Sequence, residues 1–142
     1  MKQSNGGRWF LYLSIACFVA SLFLDAFCQG ANTCRSGWEC LLIGWMGGVS
    51  WFANPMWFIS LLLYRKPLLG LLFALAGLGL ALLFLIPREI ILDEAGHTSR
   101  VAQYLAGYWC WTGAMFTLTV SRFLLWWHRK QREKPHSMPN GS

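Results

Sequence analysis

Apolar residues fill four stretches of this chain, at about 9–27, 40–64, 68–86 and 102–127, and polar residues are confined to the joints between them and to the two ends. Each stretch approaches or exceeds the ~20 apolar residues that a helix needs to cross ~30 Å of hydrocarbon, so the pattern predicts four membrane-spanning helices. The stretch from Leu68 to Ile86 has no charged or strongly polar side chain on any face, and therefore no side to turn toward water. The predicted fold class is all-α: an integral membrane four-helix bundle at 1–127, followed by a basic tail at 128–142. The Lys, Arg, Gln, Ser and Pro content of that tail predicts disorder.

The joints fit antiparallel neighbours. Arg65-Lys66-Pro67 reads as a tight turn in which Pro67 opens the next helix. Beyond Pro87, Glu89 to Leu92 reads as a short extended piece entering a turn at Asp93-Glu94-Ala95-Gly96, after which Thr98 or Ser99 caps the fourth helix.

Charge sets the orientation. The sequence is 56% hydrophobic and 13% charged with a net charge of +6, but its cations lie at span ends and form no basic face, which excludes a nucleic-acid partner. Lys2, Arg8, Arg65, Lys66, Arg129, Lys130, Arg132 and Lys134 fall on one side. Arg35, Arg88 and Arg100, mixed with Glu39, Glu89, Asp93 and Glu94, fall on the other. The positive-inside rule puts both termini in the cytoplasm. Trp9, Trp126 and Trp127 then mark the inner boundary and Trp38, Trp109 and Trp111 the outer one. The first stretch also shares the basic start and apolar run of a signal peptide, but it is long for one, and bulky Phe27 before Cys28 does not suit a lipoprotein site.

Helices in lipid associate through close backbone approach, and small residues recur at the right spacing. Gly44 and Gly48 form such a pair in the second span; Gly70, Ala74, Gly77 and Ala81 line one face of the third.

Chemistry-bearing residues are sparse. Cys28, Cys34 and Cys40 surround the first outer joint, where an oxidising compartment predicts a disulfide, most simply Cys34 with Cys40. A thiol–disulfide redox role is the sharper alternative, but there is no Cys-x-x-Cys and no cysteine in the second outer loop. Asn54-Pro55 lies near the middle of the second span, flanked by Trp51 and Trp57. Pro55 predicts a kink, and an amide at that depth makes Asn54 the candidate ligand residue. Asp25 and Arg122 lie near opposite ends of their spans, where snorkelling to the boundary is expected. Asp93, Glu94 and His97 read as a solvated turn and not as a metal site, and no histidine lies within a span to hold haem, so no cofactor is expected.

Three strings, Trp51-Phe52-Ala53-Asn54-Pro55, Glu94-Ala95-Gly96-His97-Thr98-Ser99-Arg100 and Gly107-Tyr108-Trp109-Cys110-Trp111, resemble small uncharacterised four-span inner-membrane proteins of Gram-negative bacteria. That resemblance implies a multi-pass place in the bacterial cytoplasmic membrane and carries no activity. The expectation from the residues is a non-catalytic interaction or accessory component, with the bilayer, another membrane protein or a second copy as partner. A small-ligand or lipid-binding or transporting bundle around Asn54 is the rival.

Overall fold

A computed structural model describes residues 5–29, 33–46, 48–86, 89–91 and 98–133. The chain is mostly helical: α1 (Asn5–Phe23), α2 (Gly37–Ile43), α3 (Ala53–Leu62), α4 (Pro67–Leu83) and α5 (Ala106–Arg132), with 3-10 turns at Gly44–Met46, Val49–Phe52 and Leu63–Arg65. It is not all-α. Four strands, β1 (Asp25–Gln29), β2 (Thr33–Ser36), β3 (Glu89–Ile91) and β4 (Thr98–Tyr104), form an antiparallel sheet in the order β2-β1-β4-β3. Residues 24–27 of the first expected span and 102–104 of the fourth therefore belong to or lead into this sheet, and α5 starts at Ala106 without a Thr98 or Ser99 cap. Strand β3 coincides with the extended piece expected at Glu89; the Asp93–Gly96 turn lies outside the described residues.

Helix α5 is the centre of the bundle. It packs against α1 on one side and α4 on the other, and α3 packs on α4. The core holds Phe18, Ala53, Trp57, Ala74, Ala81, Ala114, Met115 and Leu118. Along α4, Gly70, Ala74, Gly77 and Ala81 all face inward while Leu68, Leu69, Leu72, Leu75, Leu82 and Leu83 are exposed. Pro67 sits at the first turn of α4, where its missing N–H has no intrahelical partner to lose.

The second expected span is broken. Gly37 backs against the Ser21 carbonyl of α1, and its N–H donates to Leu24 O at 2.9 Å. Further along, Leu41 O accepts from the Trp51 indole at 2.9 Å, and Gly44 packs on the same indole. Trp57 is level with Ser14 through a 2.9 Å hydrogen bond, so Trp51, about 10 Å nearer the sheet at helical rise, is level with Ser21. Both ends of α2 thus lie at one height, and α2 runs across the top of the bundle instead of descending through it. The chain then turns at Gly48, whose φ of 150° suits glycine alone, and descends from Val49. Gly44 and Gly48 consequently form no helix-packing pair, because the helix they were to lie on does not exist there.

By length and composition, one described helix, Gly6–Phe23 within α1, is long and apolar enough to cross a bilayer; α4 is apolar over a shorter run. Helix α5 continues through Arg132, past the expected boundary at 128, and the rest of the expected tail, 134–142, lies outside the described residues.

Candidate functional site

The interior polar groups fall at three heights. At the sheet end, Cys28 and Cys34 occupy opposed positions of β1 and β2 and are bridged, with Cα atoms 3.9 Å apart. This corrects the expected Cys34–Cys40 pairing, which β-pairing forbids: the antiparallel register already sets Cys34 across from Cys28, and Cys40 has passed into α2. Cys40 remains a free thiol, and burial followed by the charge of Glu39 pushes it up to about 11. Beneath the sheet, Leu105 N donates to Ala26 O at 2.9 Å, and Tyr104 and Tyr108 donate their hydroxyls to Phe84 O and Ala81 O at 2.8 and 2.9 Å. Two tyrosines thereby occupy carbonyls at the C-terminal end of α4; Ala81 O accepts from Phe84 N at 3.3 Å as well.

At mid-height lies the Asn54 group. Pro55 has no N–H to offer Trp51 O, its partner in a regular helix, and Asn54 Nδ2 donates to that carbonyl at 3.1 Å instead. Asn54 Oδ1 accepts from the Trp111 indole at 2.8 Å. One turn below, Trp57 Nε1 donates to Ser14 Oγ at 2.9 Å, and Ser14 donates to Ala114 O at 2.7 Å. Phe18 stacks on Trp57 with ring centroids 4.2 Å apart. Of the residues expected to line a ligand groove, Trp51, Asn54 and Trp57 all have their polar atoms engaged within the protein. Pro55 falls near the start of α3, so the irregularity lies N-terminal to it, in Val49–Phe52, and not at a kink in mid-helix.

At the opposite end, Arg122 departs from the expected snorkelling: it is 1% exposed. Its Nη2 donates to Ser60 O at 2.6 Å and Leu61 O at 3.2 Å, so the cation sits on the C-terminal carbonyls of α3, where the helix dipole favours it. Nε and Nη1 are buried without a partner. The Tyr64 ring lies 6.0 Å from its guanidinium carbon. Ser60 Oγ ties to Gly70 O at 2.8 Å and Ser121 Oγ to Gly7 O at 2.7 Å. Ser14, Ser60, Ser121 and Arg122 carry this framework, and sequence reading singled out none of the serines. The available signal was a small hydroxyl inside an otherwise apolar run, which burial tolerates only when it is partnered.

The described residues contain no group of three His, Cys, Asp or Glu side chains able to hold a metal ion. Cys17, Cys40 and Cys110 are free thiols. No known protein family matches the chain, no curated protein matches it, and no solved structure matches its fold.

Proposed function

We propose that this chain is a multi-pass protein of the bacterial cytoplasmic membrane, a non-catalytic accessory or interaction component. Both ends of the chain face the cytoplasm, and the disulfide-closed sheet with α2 forms its outer face. The observation that carries this reading is an inverted distribution of polarity. Buried positions include Ser14, Ser60, Ser121, Asn54 and Arg122, whereas Phe23, Leu62, Leu72, Phe116 and Phe123 are exposed. A water-soluble bundle would place its leucines inside and its serines outside. In lipid the reverse is stable, because tails are as apolar as leucine and helix contact comes from small residues and internal hydrogen bonds. The basic residues around Arg65, Lys66 and the end of α5 support the inward orientation of that end, and the Cys28–Cys34 bridge supports an oxidising environment at the other.

The protonated state of Cys40 near neutral pH makes it a poor attacking thiol, which weighs against disulfide-exchange chemistry at the cap. The sheet is instead a rigid surface for another protein.

Two measurements test this. Reporter fusions after Lys66 and Lys134 are expected to read cytoplasm, and one after Gly96 the outer side; an outer signal after Lys134 would end the topology. Mild-detergent purification from native membranes is expected to retain a stoichiometric partner that is lost when the exposed side chains of β2 and α2, such as Trp38 and Leu42, are changed to Ser. Retention of the same partner by those variants would remove the cap from the interaction.

A further inference from the structure

At the end of the bundle away from the sheet, a cavity of about 320 Å³ opens between the start of α1, α5 and the turn after α3. Its wall includes Arg8, Leu11, Tyr12, Tyr64, Ser121 and Leu125. The volume is within the ~300–1,000 Å³ of small-molecule sites, and the wall mixes leucines with a guanidinium, phenols and a hydroxyl. That mixture suits an anionic group carried on an apolar body.

Tyr64 connects this cavity to Arg122, since the residue lines the one and its ring lies 6.0 Å from the guanidinium carbon of the other. Arg122 brings a full positive charge into the bundle with two N–H-bearing nitrogens lacking a protein partner. No carboxylate among the placed side chains offsets it: Asp25 and Glu39 belong to the sheet end, and Glu133 lies exposed eleven positions further along the chain. A guanidinium desolvated without an opposite charge is strongly unfavourable, and its field reaches far where the dielectric is low. Its described surroundings are neutral: the carbonyls of Ser60 and Leu61 and the Tyr64 ring, which leave room for an anion nearby to be favoured. On the membrane reading, on which this inference rests, the cavity opens at the level of Trp9, Trp126 and Trp127, where lipid phosphates lie.

We propose that the cavity binds, through its phosphate, an inner-leaflet phospholipid whose headgroup carries a net negative charge, in preference to a zwitterionic one. Arg8 meets the phosphate at the rim, Arg122 supplies the buried positive field behind Tyr64, and Leu11 and Leu125 line the path of the acyl chains. The shared chemistry, a phosphate oxyanion, is also offered by inorganic phosphate, and the test separates the two.

Full-length protein purified in neutral detergent is titrated with phosphatidylglycerol, with phosphatidylcholine, and with inorganic phosphate, following thermal unfolding by tryptophan fluorescence. Phosphatidylglycerol is expected to raise Tm by about 5 °C, with phosphatidylcholine giving less than half that shift and inorganic phosphate none. Arg8→Gln should weaken apparent binding several-fold. Arg122→Leu and the cavity-filling Leu125→Trp should each abolish the selectivity for phosphatidylglycerol. Because Arg122→Leu also removes the cap on α3, Leu125→Trp and Arg8→Gln, which leave that cap intact, decide the matter. Equal shifts from the two lipids, or unaltered selectivity in Leu125→Trp and Arg8→Gln, would overturn the site. A shift from inorganic phosphate alone would overturn the lipid assignment in favour of a free anion. If the protein partitions with the membrane fraction yet shows no selectivity, this inference fails while the membrane reading stands.

Discussion

The Trp111 indole donates to the Asn54 side-chain oxygen at 2.8 Å, and the amide of the same Asn54 donates to Trp51 O at 3.1 Å. A single buried amide thus takes the place of the N–H that Pro55 lacks at Trp51 O, beside the Ala53 N–H, and ties the start of α3 to α5. Both ends of the amide are engaged, so its first role is structural.

Asn54→Leu should accordingly lower stability by about 1–2 kcal/mol, the order of cost for leaving a buried donor without its acceptor. It strands the Trp111 N–H and removes one of the two donors to Trp51 O, the Ala53 N–H being the other. Adding Trp111→Phe to it should cost less than the sum of the single changes, because the stranded donor is then gone. Thermal unfolding of the three variants measures this, and strict additivity would show that the pair is not coupled.

The Cys28–Cys34 bridge closes a loop with a sequence separation of 6. Chain-entropy arithmetic for so short a loop gives about 2 kcal/mol of stabilisation, so Cys28→Ser or Cys34→Ser should lower Tm clearly but leave the bundle folded. Without reductant, thiol labelling of protein opened in mild denaturant should reach Cys40 and spare Cys28 and Cys34. Protection of Cys34 and Cys40 with Cys28 labelled would mean the alternative pairing.

Close backbone approach at the sheet end should show in two glycines. A Cβ on Gly107 would lie 2.7 Å from both Leu24 O and Asp25 O, backbone atoms held by the sheet. On Gly79 it would meet nothing within 4 Å. Gly107→Ala is therefore expected to destabilise by about 1–3 kcal/mol, as overpacking does. Gly79→Ala in the interior of α4 should be neutral or stabilising by up to ~1 kcal/mol. Equal effects would show that the chain leaves α1 for β1 differently.

Cys40 gives a pH signature. With its thiol pushed up to about 11, alkylation should be slow at neutral pH, rise about tenfold per pH unit, and level off only near pH 11. Raising the pKa of an acid favours its neutral form in the folded state. The contribution to stability is therefore fully present below the ordinary thiol value of 9.0 and is lost as pH rises from there toward about 11. Cys40→Ala should flatten that alkaline loss. A labelling plateau near pH 9 would mean that Cys40 is exposed.

Hydrophobic runs are local properties of the chain, which is why α1, α4 and most of α5 are legible along it, as are Pro67 at the opening of α4 and the inward row Gly70, Ala74, Gly77 and Ala81. The missing N–H at Pro55 is legible too, but that the Asn54 amide answers it, where a ligand residue was expected, is shown by the structure alone. What tertiary structure alone decided is set by partners far away in sequence. Asp25–Gln29 becomes a strand because Thr98–Tyr104 arrives beside it, so the apolar run through Phe27 joins a sheet and not a longer helix. That register also assigns the disulfide to Cys28 and Cys34. The second apolar run reads as one helix, yet α2 turns aside because Gly37 can press onto the Ser21 carbonyl and Gly48 can adopt a backbone angle closed to other residues. Arg122, one turn from the end of its run, looks free to reach water; its burial follows from α3 ending beside it with open carbonyls at Ser60 and Leu61. Composition along a chain determines which segments leave water, and only the assembled helices determine which polar groups must be partnered once they have left it.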